Sequence, residues 1–291
     1  MSQPPLRVRI QRFLPYFLFA PALSYIMALV GFPLIQAVQL AFTDPKTGSF
    51  SWINFETLFN DPYFWDAIKN TFLLAAIVIP IQVFLAVVIA LLINTRFKGH
   101  NALLYIVALP LTISDVAAGL IWYSILAPRG FLNKFLVNMH IISRPIYFFG
   151  YAFKHMELIA IVLTEIWRAT AIVFVIIFAG LQMISKDYIE AAEVFGATFT
   201  QRLRYIILPL LKPSLQAALI IRTLFALQVF AVVWILAGRD IPVLAGEAYY
   251  WQTEVRNYHV ASAYAIIIAL ISIIISFIYI TTLKPHYAER R

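Results

Sequence analysis

The chain has 291 residues, of which 62% are hydrophobic and only 12% are charged, and its mean hydropathy is +0.85. Soluble globular proteins carry about 25% charged residues, so this composition excludes an ordinary soluble domain and predicts a membrane protein. The sequence has no cysteine, which excludes disulfides, thiolate metal sites and cysteine catalysis. The net charge of +8 does not predict a nucleic-acid partner, because the basic residues are spread over several short loops.

The apolar residues form long uninterrupted stretches rather than the short alternating segments of a transmembrane β-barrel. In lipid every backbone polar group must pair internally, and a helix needs about 20 residues to cross the hydrocarbon layer. We therefore expect an all-α membrane protein with six transmembrane helices. The predicted spans are 13–42, 71–94, 103–126, 158–182, 215–238 and 261–283. Kinks are expected at the prolines inside these spans, which are Pro21, Pro33, Pro80 and Pro110.

The basic residues of the loops predict the orientation of the chain. An even number of spans places both termini on one side, and more than half of the 22 Lys and Arg residues fall on that side. Cytoplasmic loops carry an excess of Lys and Arg, so both termini and the segment 184–214 are predicted to be cytoplasmic. The residues that carry this bias are Arg7, Arg9, Arg12, Arg96, Lys98, Lys186, Arg202, Arg204, Lys212, Lys284, Arg290 and Arg291.

The longest predicted cytoplasmic loop, 184–214, contains the pattern of two short amphipathic helices. Asp187 with Glu190 fits a capping box at the start of the first helix. Gly196 can adopt the left-handed conformation that ends this helix. Thr198 with Gln201 fits a second capping box, so a second helix is expected to follow at once.

The first of these helices offers a surface to another protein. Ala191 and Ala192 are small, so a partner can approach the backbone closely, and Glu190 and Glu193 offer carboxylates to a partner's arginine or lysine. Pro209 marks the point where the chain re-enters the membrane. The segment is too polar for lipid and too short to fold alone, so we expect a partner protein to bind it.

The spacing in this loop resembles the EAA signature of the permeases of binding-protein-dependent ABC importers. The pattern runs Glu190-Ala191-Ala192, three residues, Gly196, nine residues, Ile206, one residue and Leu208-Pro209. Every element of the signature is present, between the fourth and fifth predicted spans. Further stretches resemble the maltose/trehalose/glycerol-phosphate group of these permeases, at 55–58, 61–62, 70–71, 119–122, 165–168, 179–182 and 222–224.

This resemblance implies a fold, a location and a set of partners. The fold would be that of a type I ABC importer permease, in one transmembrane permease domain covering residues 1–291 of a multi-pass inner-membrane protein. A second homologous permease would complete the pathway, and two cytoplasmic ATPase subunits, which carry ATP and Mg, would bind the EAA loop. An extracytoplasmic sugar-binding protein would deliver the substrate, and the sugar implied is a disaccharide such as trehalose or maltose.

The same resemblance assigns roles to residues of the loop. The implied ATPase-coupling residues are Glu190, Ala191, Ala192 and Gly196. None of them is catalytic, and the chain itself is expected to bind no cofactor or metal.

The segment after the fifth predicted span departs from the family pattern. Many relatives carry an aspartate after the phenylalanine and then a Gly-Gly-Pro turn. This chain has Phe230-Ala231, and its residues 238–242 read Gly-Arg-Asp-Ile-Pro. The departure concerns the substrate rather than the family.

Four charged side chains are predicted to lie within the spans, where a charge costs about 2.5–3.5 kcal/mol on insertion scales. They are Asp115, Glu165, Arg168 and Arg222. Glu165 and Arg168 are three residues apart, so they share a helix face and can pair. Two roles remain open for these charges, a structural ion pair and a contribution to the sugar pathway.

The resemblance places the sugar site at the depth of the two arginines. Trp167, Phe225 and Gln228 are close by in the sequence, and aromatic rings and planar polar groups suit sugars. Gln82 and Tyr123 are weaker candidates for the same pathway.

An ion-coupled secondary transporter is the alternative to an importer permease, because the intramembrane charges could form an ion relay. The EAA loop favours the importer, since an ion-driven carrier has no reason to present an ATPase-docking surface. An enzyme is not expected. The sequence lacks the Gly-x4-Gly-Lys-Ser/Thr phosphate loop, and its five histidines lack the spacing of zinc sites.

Overall fold

The computed structural model describes residues 6–282, and the side chains of residues 15–282. This part of the chain is helical, apart from turns and one isolated β-bridge between Thr43 and Phe50. The helices are α1 (Leu6–Ile26), α2 (Phe32–Ala41), α3 (Ile53–Phe59), α4 (Pro62–Asn94), α5 (His100–Ala108), α6 (Asp115–Leu126), α7 (Phe131–Asn138), α8 (Lys154–Gln182), α9 (Lys186–Val194), α10 (Phe199–Arg202), α11 (Leu208–Leu227), α12 (Ala231–Ala237), α13 (Leu244–Thr253) and α14 (Tyr258–Thr282).

Five helical segments of the described chain are long and apolar enough to cross a membrane, and a bent pair of helices can form a sixth span. The five are Pro15–Ala41, Pro62–Asn94, Tyr151–Gln182, Phe199–Leu227 and Tyr258–Thr282. The prediction of an all-α protein with six spans is therefore confirmed, with the bent pair counted as one span. The terminal Lys and Arg side chains used to predict the orientation lie outside the described side chains.

The third span, predicted for 103–126 with a kink at Pro110, is broken close to that proline. It consists of His100–Thr112 and Asp115–Asn138, which meet at an angle of 107°. A 3₁₀ turn containing Pro110 closes the first part, and the hydroxyl of Ser114 accepts a hydrogen bond from the backbone of Ala117 to start α6. A proline followed by a new N-cap thus breaks a run that remains apolar throughout.

The fifth span also differs from its prediction of 215–238. It begins at Phe199, inside the polar loop, and ends at Leu227, and the chain then turns into the short helix α12. Pro209 and Pro213 are accommodated within this helical run.

Two π-helical turns explain how prolines fit into continuous spans. One covers Met27–Gly31 and precedes Pro33, and the other covers Leu203–Ile207 and precedes Pro209. In a regular helix a proline ring clashes with the carbonyl four residues earlier, and a wider turn relieves this contact. A π turn therefore lies at Pro33, where a kink was predicted, and another lies at Pro209, where none was.

The spans pack around α8, which contacts both α4 and α11. Small residues bring the helices together: Ala86 and Ala90 of α4 are fully buried, and Gly180 of α8 faces α11. A Cβ atom at Gly180 would lie only 2.5 Å from Cβ of Ser214. Close approach at small residues is the usual basis of helix association in lipid, where no hydrophobic force drives it. The first span, in contrast, is exposed over most of its described length.

Candidate functional site

The coupling loop, as we name residues 184–214, begins with α9. The hydroxyl of Ser185 accepts a hydrogen bond from the backbone N–H of Asp187 at 3.3 Å and caps this helix. The predicted capping box of Asp187 with Glu190 is therefore wrong. The cap lies two residues earlier, because a serine hydroxyl is already in position there.

The turn and the second helix of the coupling loop form as predicted. Gly196 has a φ of +77°, in the left-handed region that favours glycine, and it follows the end of α9. The capping box of Thr198 and Gln201 is present, with the Gln201 side-chain oxygen accepting from the Thr198 N–H at 2.7 Å. An ion pair between Glu193 and Arg202 ties the two helices together across the turn. The second helix continues directly into the fifth span, so a movement of the loop reaches the membrane without a flexible linker.

The coupling loop exposes both polar and apolar side chains. Glu190 and Ala191 are exposed and Ala192 is half-buried. Val194 and Phe195 are 85% and 90% exposed, which is unusual for large apolar residues next to a polar helix. Sequence reasoning missed these two residues, although their position directly before the closing glycine was a usable signal.

Arg168 lies between two carboxylates within the membrane-spanning region. Its Nη1 is 2.6 Å from Oδ1 of Asp115, and its Nη2 is 3.2 Å from Oε1 of Glu165. The side chain of Glu165 is 3% exposed, whereas that of Asp115 is 49% exposed. The predicted pairing of Glu165 with Arg168 is confirmed, and Asp115 joins it from the start of α6.

Arg222 completes the cluster from the fifth span. It is 2% exposed, its Nη2 donates to Oε2 of Glu165 at 2.7 Å, and its Nε donates to Oε1 of Gln82 at 2.6 Å. The Gln82 amide donates in turn to the backbone carbonyl of Glu165 at 2.7 Å. Gln82, a weaker candidate from the sequence, is thus central to the arrangement. We call Gln82, Asp115, Glu165, Arg168 and Arg222 the charge network.

A cavity of about 400 Å³ lies against the charge network. Asp115, Arg168 and Arg222 line it, and Gln228 and the ring of Phe225 contribute from the end of the fifth span. We call it the network cavity. Arg168 Nε and Arg222 Nη1 are buried and have no hydrogen-bond partner within the described residues. The lining of the cavity combines two guanidinium groups, a carboxylate, an amide and an aromatic ring, which are groups of the kinds that bind sugar hydroxyls and C–H surfaces.

Two aromatic candidates lie elsewhere. Trp167 packs edge-on against Trp122, with ring centroids 6.2 Å apart, and it is not among the residues that line the network cavity. Tyr123 stacks on Phe149 at 4.9 Å. Trp167 therefore packs between α8 and α6, and Tyr123 packs α6 against the segment that precedes α8.

A second polar cluster ties the segment after α12 to the start of α4. The Arg239 guanidinium lies over the rings of Tyr63 and Tyr250, at 4.0 and 3.5 Å, and donates to both carboxylate oxygens of Glu247 at 3.0 and 2.6 Å. Burial raises the pKa of Glu247, against the opposing effect of Arg239. We call these four residues the arginine clip.

Asp61 forms a further structural contact near the arginine clip. Its Oδ1 accepts from the backbone of Tyr63, and its Oδ2 accepts from Trp251 Nε1 and the Tyr264 hydroxyl, each at 2.9 Å. The carboxylate thus joins the start of α4 to α13 and α14. Among the described residues, no group of three or more His, Asp or Glu side chains is placed to hold a metal ion.

A family model matches most of the chain. Residues 82–283, which include the charge network and the coupling loop, match the family of binding-protein-dependent transport system inner membrane components. The match covers the end of the second span and the four spans that follow it.

Several characterised or named proteins are similar to the chain along most of its length. It is 29% identical to the trehalose transport system permease protein SugA of Mycobacterium tuberculosis, over 78% of this chain and 74% of that protein. It is 32% identical to the sulfoquinovosyl glycerol transport system permease protein SmoG of Agrobacterium fabrum, over 78% of this chain and 75% of that protein. It is 27% identical to the trehalose/maltose transport system permease protein MalF of Thermococcus litoralis, over 89% and 92%.

Solved structures share the fold. A chain of a bacterial ABC transporter that imports the acidic polysaccharide alginate superposes with a TM-score of 0.83 at 24% identity, over 99% of this chain and 100% of that one. A chain of a bacterial alginate ABC transporter in complex with a pentasaccharide-bound periplasmic protein gives a TM-score of 0.81 at 25% identity, over 95% and 96%. The predicted fold of an ABC importer permease is confirmed. The chain therefore belongs to the family of binding-protein-dependent transport system inner membrane components, as a multi-pass protein of the cell membrane.

Proposed function

We propose that this chain is a permease subunit of an ATP-driven, binding-protein-dependent ABC importer for a sugar, with trehalose or maltose as the type of substrate. The observation that carries the proposal is the coupling loop. It is a braced helix–turn–helix that exposes a carboxylate and two large apolar side chains and continues without a break into the fifth span. We expect such an exposed surface where another protein docks on the loop and moves the span.

The partner at the coupling loop is an ATPase subunit, one of two per transporter, and it carries the ATP and Mg. Glu190 offers a carboxylate to a basic residue, and the small side chains of Ala191 and Ala192 permit close approach. Val194 and Phe195 add an apolar surface that would be excluded from water in the contact. Gly196 sets the angle between the two helices. In this proposal the chain has no catalytic residue of its own.

The remaining subunits follow from the exposed membrane surface and from the family. The first span is apolar and exposed in the described chain, so a second, homologous permease has a face to pack against. With the coupling loop in the cytoplasm, both termini are cytoplasmic too, and an extracytoplasmic sugar-binding protein delivers substrate to the opposite side.

The network cavity is the part of this chain that would contact the sugar. Its volume of about 400 Å³ falls within the range of small-molecule sites, and it combines an aromatic ring with several polar groups. Trehalose or maltose is supported by the names of two of the relatives, SugA and MalF.

The proposal is tested by co-expressing the chain with the genes that neighbour its own and purifying it in detergent. A complex with a second permease and ATPase subunits, whose ATP hydrolysis in lipid rises with a trehalose- or maltose-loaded binding protein, is the expected result. A chain that purifies alone and transports sugar into liposomes without ATP would identify an ion-coupled secondary transporter instead.

A charge reversal tests the coupling loop itself. We expect Glu190→Arg to abolish the stimulation of ATP hydrolysis by the loaded binding protein while the protein still inserts and assembles its permease pair. The matched control is Lys98→Glu, which reverses an exposed charge on the same side of the membrane but outside the coupling loop. Normal stimulation in Glu190→Arg would refute the assignment of the docking surface.

A further inference from the structure

The network cavity is electrically balanced. Arg168 and Arg222 contribute two positive charges, and Glu165 and Asp115 contribute two negative charges. The charged side chains among the described lining residues are Asp115, Arg168 and Arg222, and Glu165, which is 3% exposed, neutralises Arg222 without lining the cavity. A sugar that enters the cavity therefore meets polar groups but no net charge.

The two carboxylates of this balance differ in how they can respond to a ligand. Glu165 is buried and contacts both arginines, so it is a fixed part of the protein interior. Asp115 is half-exposed, lines the cavity and contacts only Arg168 by a salt bridge. Asp115 is therefore the one member of the pair that a ligand can reach, and its charge decides whether Arg168 is available to an anion.

The break in the third span explains why the carboxylate of Asp115 lies at the network cavity. The chain turns by 107° between Thr112 and Asp115, so α6 begins at the cavity rather than passing it. Broken helices in membrane transporters place backbone ends and polar side chains at the substrate site in this way. Without Asp115, the positive end of the α6 dipole and Arg168 would both face the cavity.

The ion pairs of the two arginines limit what the balanced cavity can bind. Arg222 Nη1 and Arg168 Nε are buried without a hydrogen-bond partner in the described chain, and Arg222 is 98% removed from solvent. Both atoms are closed off from solvent, so a ligand in the cavity meets arginines that are already ion-paired with Asp115 and Glu165. A carboxylate or sulfonate would bring a negative charge next to Asp115, and burying it without a free cation is unfavourable.

We propose that Asp115 is the residue that sets charge selectivity in this transporter: it neutralises Arg168, so that the network cavity accepts neutral sugars and rejects anionic ones. The proposal rests on the sugar-import function proposed above and assigns a substrate class to the same site. Loss of the Asp115 charge, with the side chain otherwise retained, converts the cavity to one with a net charge of +1.

The test is equilibrium binding to the complete transporter in lipid nanodiscs, without binding protein, so that the selectivity of the binding protein does not enter. The probes are radiolabelled trehalose and trehalose with one C6 hydroxymethyl group oxidised to a carboxylate. We expect the wild type to bind the neutral probe at least about tenfold more tightly, the factor expected for one charge-assisted contact. In Asp115→Asn this ratio should fall by about tenfold or more, through tighter binding of the anionic probe.

Two further variants separate charge from structure. Asp115→Glu keeps the charge and should keep the preference for the neutral probe. Asp66→Asn removes an exposed carboxylate outside the network cavity and should behave as the wild type.

The outcomes distinguish this inference from the proposed function. If both probes bind and Asp115→Asn keeps the wild-type ratio, charge selectivity by Asp115 is overturned while sugar binding stands. Charge selectivity by Asp115 is also overturned if the wild type binds the anionic probe as tightly as the neutral probe or more tightly. This outcome does not depend on whether the variant assembles. If the wild-type transporter binds neither probe, sugar binding at this cavity and the inference fail together.

Discussion

The buried carboxylate of Glu165 should contribute more to stability than any other acid in the charge network. It lies between Arg168 and Arg222, at 3.2 and 2.7 Å, and its side chain is 3% exposed. Glu165→Gln keeps the size of the side chain and removes its charge. Arg222 would then remain buried with Gln82 and a neutral amide as its partners.

The expected size of the effect follows from the burial of the pair. Removing one partner of a buried ion pair costs about 3–5 kcal/mol, because the other charge stays in a low-dielectric environment. A loss of 1 kcal/mol lowers Tm by about 2–4 °C in chains of 150–250 residues, so we expect Glu165→Gln to lower Tm by at least about 6 °C. Asp115→Asn should cost less than about 1 kcal/mol, since its half-exposed carboxylate is screened by solvent.

The assay is thermal unfolding of the purified transporter in lipid nanodiscs, followed by tryptophan fluorescence at matched protein concentration. A second substitution tests the mechanism. Arg222→Met in the Glu165→Gln background removes the stranded cation, so the cost of an unpaired buried charge at position 222 no longer applies. We therefore expect the double variant to recover at least half of the lost Tm. A Tm for Glu165→Gln within about 2 °C of the wild type, or no recovery in the double variant, would refute this account of the charge network.

Three further predictions test the packing of α8 against α11, the turn of the coupling loop and the hydrogen bonds of Asp61. Gly180→Ala should cost about 1–3 kcal/mol, because its Cβ would overlap Ser214, and Ser214→Gly should restore the Tm. Gly196→Ala should cost about 1–2 kcal/mol, because alanine is strained at φ +77°, and it should reduce the stimulation of ATP hydrolysis by the binding protein. The control is Gly99→Ala, at φ +97° in another loop, which should cost similar stability and leave the stimulation intact. Asp61→Asn should cost about 1–3 kcal/mol in thermal unfolding, since an amide nitrogen cannot accept the two side-chain hydrogen bonds made to Oδ2.

The sequence predicted the spans well because the length and hydropathy of a membrane helix are set by the bilayer rather than by tertiary contacts. Hydropathy cannot locate a break inside an apolar run, so the kink predicted at Pro110 indicated the place of the bend between Thr112 and Asp115 but not its size of 107°. The local signals were present, as Pro110 and the capping hydroxyl of Ser114, but prolines also occur inside unbroken membrane helices. Pro80 is such a case, in the middle of the 33-residue helix α4.

The candidate site was predictable only as far as local spacing reaches. Glu165 and Arg168 are three residues apart, and their contact followed from helix geometry. The contacts of Arg222 with Glu165 and with Gln82 span 57 and 140 residues, so they depend on how three helices pack together. The exposure of Phe195 depends in the same way on the structure, since an apolar residue in a short helix is usually buried.

The departure from the family pattern after the fifth span has a structural explanation that separates it from substrate choice. Arg239 is held by Glu247 and by the rings of Tyr63 and Tyr250, so its side chain is engaged in joining this segment to α4 and α13. The described lining of the network cavity extends along the fifth span only to Gln228 and does not include this segment. The residues that replace the Gly-Gly-Pro turn therefore stabilise the local fold through the arginine clip. Substrate selectivity in this chain should instead be sought in the side chains of the network cavity, where the paired charges disfavour binding of an anionic sugar.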